Sequence, residues 1–301
     1  MSLQDIAQKF SLKTLPESEI ELAGDVPYEA VEAYRAHALL HIAEHMELPG
    51  FRPGKVPTDM ALKKVGDLAV LEEAVELFVR DFYPVLVGEK KVGVVGRPEI
   101  KVTKLAPQNP IGLLVQTTIY PEVPLPKNWK ELHEKVPVEP YTGELPKAEP
   151  MPSEEDQAKA REMLARNIRR GKLIDALLER AQLTVPRIFI ESELEKIMGQ
   201  MRDDIQRMGV QFDDYLKHVQ KTEAQIRDDF RDQAKKRAAL QLLLNKIAEE
   251  EKLVADPAAV EAEMKHALEH FPEARKDLLK IHIETVLKNE QALKVLEGEK
   301  Q

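Results

Sequence analysis

The sequence predicts an α+β N-terminal domain, an antiparallel sheet with two helices, followed by an all-α, extended helical domain. Three observations predict it. Residues up to about 126 mix strand and helix periodicities. The stretch that follows places Pro at 121, 124, 126, 137, 140, 146, 150 and 152, which forbids a long helix and favours extended backbone. After Ser153 helical spacing takes over and persists almost to the end. The expected organisation is therefore a domain over 1–126, a proline-rich linker over 127–152 and a helical domain over 153–301. A chain of 301 residues also exceeds what one compact core usually serves.

Each element has a local reason. Residues 10–14 and 19–22 read as short strands around the turn-like Leu15-Pro16-Glu17-Ser18, a hairpin. Pro27 opens a helix with Val31, Tyr34, Ala38 and Ile42 on one face, and Asp67 can cap a second through Leu71, Val75, Phe78 and Phe82. Arg97-Pro98 starts a third strand through Ile100 and Val102, and 111–120 gives a fourth. In the second half, helices are expected over 153–182, 186–208, 212–219, 222–252, 256–270 and 272–296. Ser153 is an N-cap, Thr222 with Gln225 makes a capping box, and Asp256 with Pro257 combines a cap with a first-turn proline.

Composition narrows the function. With 44 basic and 53 acidic residues the net charge is −9, unlike a general nucleic-acid binder, so any contact with RNA is local. The absence of Cys excludes disulfides, thiolate nucleophiles and zinc sites built on sulfur, and suits a reducing compartment. The first residues carry Gln4, Asp5, Gln8 and Lys9 where a secretory signal needs an apolar run. No apolar stretch approaches the roughly 20 residues that span a bilayer, so a soluble, cytoplasmic protein without membrane partners is expected. Aromatic residues are only 5% and charged ones 32%, a mixture typical of solvent-washed helices.

The most informative segment is Pro49-Gly50-Phe51-Arg52-Pro53-Gly54-Lys55-Val56-Pro57, whose prolines and glycines interrupt the two N-terminal helices and require a loop. Phe51 and Arg52 are expected at its exposed tip, and Arg52, Lys55, Lys63 and Lys64 form a small basic patch opposed by Glu47 and Asp59. An aromatic beside a cation suits docking and phosphate contact. An ordinary helix–helix turn with Phe51 packed back on its own domain fits the spacing equally.

GFRPGKVP over 50–57 resembles the ribosome-docking signature of the trigger factor family, placed as in that family between two N-terminal helices. The resemblance continues through Tyr120-Pro121-Glu122-Val123 and, from about Arg161, through Tyr215-Leu216-Lys217, Lys221-Thr222-Glu223 and Ala234-Lys235-Lys236-Arg237. It implies docking on ribosomal protein and RNA beside the exit tunnel through Gly50, Phe51, Arg52, Pro53, Gly54 and Lys55. Pro53 stands where some members carry a lysine, which weakens one phosphate contact. The resemblance also implies that the helical domain cradles nascent or unfolded polypeptides. The family usually inserts an FKBP-like prolyl-isomerase domain where only the proline-rich stretch stands here, so isomerase activity is not expected.

Clients would need flexible apolar surface. Ile188, Phe189, Met198, Met201, Met208 and Phe212 are the candidate client-binding residues, Met being deformable and polarizable. Each Met equally serves as core filler, and Leu194, Ile197, Ile205 and Leu216 supply either a core or a groove. Exposed patches of this kind also imply a homodimer when the protein is free. His37 and His41 have metal-binding spacing, but no HExxH accompanies them, and no metal or other cofactor is expected. Gly93 and Gly96 lack the lysine and spacing of a P-loop, and the acidic run Glu249-Glu250-Glu251 reads as a solvated face. The expected function is thus an ATP-independent chaperone at the ribosome. The rivals are a ribosome-independent holdase or assembly factor and a residual prolyl isomerase. A coiled-coil scaffold ranks last because Pro186, Pro257 and Pro272 break the heptads.

Overall fold

The computed structural model describes residues 1–52, 54–145 and 153–299. The chain divides into two compact units, Met1–Pro121 and Glu122–Gln301.

The first unit opens on α1 (Leu3–Gln8), a short helix that the sequence reading passed over. Ser2 and Asp5 form its capping box: the Ser2 Oγ accepts from the Asp5 N–H at 3.2 Å, and the Asp5 carboxylate accepts from the Ser2 N–H at 2.9 Å. The expected hairpin follows as β1 (Ser11–Thr14) and β2 (Glu19–Val26) around a 3-10 turn at Pro16–Ser18. With β3 (Val94–Lys104) and β4 (Ile111–Ile119) they build an antiparallel sheet in the order β1-β2-β4-β3. Pro98 is tolerated inside β3 because that strand lies at the sheet edge, and the register shifts between Val95 and Glu99 around it.

The helix opened by Pro27 is two pieces, α2 (Tyr28–Glu32) and α3 (Arg35–His45), separated at Ala33 and Tyr34. The next helix, α4 (Thr58–Lys90), starts earlier than expected and is broken at Gly66, whose φ of 80° and ψ of 166° are not helical. Asp67 follows that break, but its carboxylate accepts from the Arg35 guanidinium, so an ion pair takes the place of the expected cap. One face of α4 covers the sheet: Val70, Leu71, Phe78, Phe82 and Leu86 meet Ile20, Leu22, Ile111, Leu113 and Val115 in the core. The register explains the pairing, since Leu22 opposes Val115 and Val26 opposes Ile111, placing their side chains on one face. Phe10 and Phe82 approach to 5.2 Å and Phe78 and Phe82 to 5.0 Å. Gly24 is obligatory beneath them, because a Cβ there would meet the Phe10 ring at 2.6 Å.

The second unit is helical: α5 (Leu132–Lys135), α6 (Glu154–Ala181), α7 (Arg187–Arg207), α8 (Phe212–Val219), α9 (Glu223–Asp229), α10 (Arg231–Glu250), α11 (Pro257–His270) and α12 (Lys276–Leu296). The capping expectations hold at Ser153, Thr222 and Asp256. The expected helix over 222–252 divides at Phe230, and the last one begins at Lys276 rather than near Pro272. Leu173 and Leu177 of α6, Leu242, Leu243 and Ile247 of α10, and Ala292 and Leu296 of α12 form the main core.

Part of the stretch read as linker belongs to that core. Trp129 is 4% exposed and Leu132 fully buried. Burying the indole removes a large apolar area from water, and an extended proline-rich backbone does not prevent it. Arg169 on α6 secures the segment, donating to the carbonyls of Val136 at 2.7 Å, His133 at 3.0 Å and Glu297 at 3.3 Å. The Lys172 ammonium adds an ion pair to Glu139 at 2.6 Å. Pro146, Pro150 and Pro152 lie outside the described residues. Among the described residues no helix is long and apolar enough to cross a membrane.

Candidate docking loop and apolar surfaces

The loop between α3 and α4 is built on two left-handed glycines, Gly50 at φ 93° and Gly54 at φ 75°. Each glycine sits within a tight turn, in which the Phe51 N–H donates to the Leu48 carbonyl and the Lys55 N–H to the Arg52 carbonyl, each at 3.0 Å. Val56 closes the loop by burying against Ala43 and Ala61, with Leu39, Met46 and Leu48 around them. This small apolar anchor leaves the tip outside: Phe51 is 37% exposed, and Gly50, Arg52 and Lys55 are exposed. Gly54 is half-buried, near the Glu44 carbonyl, and Pro53 lies outside the described residues.

The structure therefore brings Phe51, Arg52 and Lys55 together on one short loop, with Lys63 and Lys64 exposed on the following helix. Below the loop, Arg35 ties α3 to the second part of α4 through Asp67, whose hydrogen bond raises the pKa of the guanidinium further above its ordinary value. The His41 Nδ1 meets a Glu73 carboxylate oxygen at 2.8 Å across the same two helices. His41 is thus engaged with a carboxylate, and no group of three His, Cys, Asp or Glu among the described residues is placed to hold a metal.

The six expected client residues separate. Met198 is fully buried with Leu194, Ile197 and Ile205, so it is a core residue and the expectation of client contact is corrected there. Ile188, Phe189, Met201 and Phe212 are half-buried. The Phe212 ring is covered by the Arg202 guanidinium at 5.2 Å and lies 6.4 Å from the Tyr215 ring. Met208, at the end of α7, is 70% exposed and stands beside exposed Val210.

Sequence reasoning missed the larger apolar surface. On α12, Leu279, Ile283 and Leu287 pack with Val260 and Met264 of α11, while Leu278, Ile281 and Val286 remain exposed. Phe271, after α11, is 69% exposed. At 3.6 residues per turn, Leu278 and Ile281 fall well outside the stripe that packs on α11, and Val286 lies at its edge. The signal was an excess: α12 carries more large apolar residues than one packed face uses.

Comparison with known proteins matches residues 8–148 to a family described as "Bacterial trigger factor protein (TF)" and residues 153–297 to "Bacterial trigger factor protein (TF) C-terminus". Among curated proteins, the trigger factor of Beutenbergia cavernae is 38% identical over 95 residues, covering 32% of this chain and 20% of that relative. The trigger factor of Acidothermus cellulolyticus is 31% identical over 118 residues, covering 39% of this chain and 26% of that relative. The matched stretches thus span only a fifth to a quarter of the relatives' lengths. A solved structure reported under "Promiscuous Substrate Recognition in Folding and Assembly Activities of the Trigger Factor Chaperone" shares the fold at a TM-score of 0.54. That likeness has 13% identity and covers 96% of this chain and 99% of that one.

Proposed function

The chain belongs to the bacterial trigger factor family, and on that premise we propose that it is a cytoplasmic, ATP-independent chaperone. It docks beside the ribosomal exit through residues 50–57 and shields nascent or unfolded polypeptides on apolar surfaces of the second unit. One observation supports docking above the others: two left-handed glycines and a buried Val56 hold Phe51, Arg52 and Lys55 together in solvent. An aromatic flanked by cations contacts protein and phosphate at once, and phosphate contact makes binding fall with salt. Shielding is supported by Met208 and Phe271 at the ends of α7 and α11 and by Leu278 and Ile281 on α12, large apolar residues left exposed. The same surfaces suit association of two free copies. No prolyl-isomerase activity is assigned, because the family matches reach only the N-terminal and C-terminal parts.

Co-sedimentation with vacant and translating ribosomes at two salt concentrations tests the docking. The Phe51→Ala, Arg52→Ala, Lys55→Ala triple variant is expected to lose binding while still suppressing aggregation of a denatured protein. Equal sedimentation of both forms removes the docking role and leaves a ribosome-independent chaperone.

A further inference from the structure

The last turn of α3 carries His41-Ile42-Ala43-Glu44-His45, an HxxEH order that reverses the HExxH of many zinc-binding helices. A spacing of four on a helix brings the two imidazoles onto one face, and their ring centroids stand 4.4 Å apart at an interplanar angle of 47°. Two imidazoles bound to one ion through nitrogens at about 2.0–2.1 Å, at right angles or a little wider, have centroids roughly 4.5–5 Å apart. The pair thus stands close to chelating distance without any change of fold. Both residues are exposed, so an ion reaches them directly from solvent.

Hydrogen bonds fix which nitrogen each ring presents. The His41 Nδ1 lies 2.8 Å from a Glu73 carboxylate oxygen, and the His45 Nδ1 lies 2.9 Å from the His41 carbonyl oxygen. A carboxylate and a carbonyl only accept, so each Nδ1 carries a proton and donates it. In the neutral ring the other nitrogen, Nε2, is then left with a bare lone pair. Ligating histidines in metal sites are oriented in this way: a carboxylate or main-chain oxygen holds one nitrogen, and the metal takes the other. Engagement with Glu73 therefore prepares His41 for an ion instead of blocking it. A second pair gives the contrast. His266 and His270 on α11 share the spacing, with rings 4.9 Å apart at 75°, but among the described residues no hydrogen bond orients either ring.

We propose that His41 and His45 bind a divalent transition metal of the zinc and copper class through their two Nε2 atoms, with Glu73 as the positioning carboxylate of His41. Neutral imidazole suits such ions, whereas Mg(II) and Ca(II) take oxygen ligands. Among the described residues no group of three His, Cys, Asp or Glu is placed to hold a metal, so water fills the remaining positions of the ion. The site lies at the base of the docking loop, because His45 is the last residue of α3.

Isothermal titration of zinc chloride into the untagged full chain tests it, on a His266→Ala, His270→Ala background that removes the second pair. One ion per chain is expected to bind, and millimolar Mg(II) is expected to leave it in place. On that background His41→Ala and His45→Ala are each expected to weaken binding by about tenfold or more. Glu73→Gln keeps an acceptor for the His41 Nδ1 but removes the charge, and is expected to weaken binding by about tenfold. Nitrogen NMR of the metal-free native chain, which needs no substitution, is expected to show both rings protonated at Nδ1, with zinc moving the Nε2 resonances. The site is overturned by a background chain that takes up no zinc, by His41→Ala and His45→Ala binding as their parent does, by displacement with Mg(II), or by rings protonated at Nε2. Unchanged affinity in Glu73→Gln overturns the positioning role given to that carboxylate.

Discussion

The two units spend their apolar residues differently. In the first, Phe10, Phe78 and Phe82 pack ring against ring beneath a sheet whose register places Leu22, Val26, Ile111 and Val115 on the buried face. In the second, leucine and alanine close the core between helices, while Met208, Val254, Phe271, Leu278 and Ile281 stay in solvent. A sheet fixes side-chain direction residue by residue, because a slip of one position turns every side chain over. An amphipathic helix fixes only a stripe, and a helix such as α12 can carry a second apolar stripe without disturbing the first. The difference teaches how one chain holds a loop tip in a defined place and still exposes broad apolar surface elsewhere.

The largest expected effect lies in the aromatic stack. Phe82→Ala empties a site 1% exposed and should cost about 3–5 kcal/mol, a large share of a domain's marginal stability. The chain's one tryptophan, Trp129, lies in the core of the second unit, so its fluorescence reports that unit separately. Urea unfolding should show early loss of amide-exchange protection in β2 and β4 with the Trp129 transition unmoved. Movement of both together would end the contrast drawn between the units. The next effect is smaller and falls on the other side. Arg169→Ala leaves three carbonyls without their donor, at a cost of about 1–3 kcal/mol, and should lower the Trp129 midpoint while sparing the sheet. An unchanged Trp129 midpoint would show that the buried indole holds the segment without the clamp.

Legibility followed the range of the interaction. Capping at Ser153, Thr222 and Asp256 was readable because donor and acceptor lie within one turn of each other, and the hairpin was readable because its turn and strands are contiguous. The break at Gly66 was not, since glycine inside an otherwise helical pattern is compatible with a continuous helix and the Arg35–Asp67 pair comes from a distant helix. Trp129 was hidden by the prolines around it, whose local effect on the backbone says nothing about where an indole is buried. Among the candidate site residues, Gly50 and Gly54 could be placed on a turn from composition alone, but the exposure of Phe51 could not, because spacing serves a packed turn and a docking tip equally. Met198 shows the same limit in reverse: its chemistry suits a client surface, and its helical phase puts it in the core.

The smallest expected effect concerns how the helices of the second unit are tied where burial is thin. Glu191 on α7 accepts from Arg227 and Arg231, each at 3.0 Å, and Arg227 also reaches Glu195 at 2.7 Å. Its carboxyl is held below the ordinary value of 4.5, first by the hydrogen bond from Arg231 and further by Arg227, with burial opposing them. A carboxyl depressed in the folded state stabilises the fold above its unfolded value, and that contribution is lost as pH falls from about 4.5 through the lower folded value. The site is solvent-washed, so screening keeps the gain small. Thermal midpoints followed through Trp129 should therefore fall more steeply for the native chain than for Glu191→Gln between about pH 5 and pH 3, with the variant slightly less stable at neutral pH. Parallel slopes would mean that α7 is held to α10 by Leu194, Ile197 and Ala234 alone, and that the second unit depends on apolar packing as fully as the first.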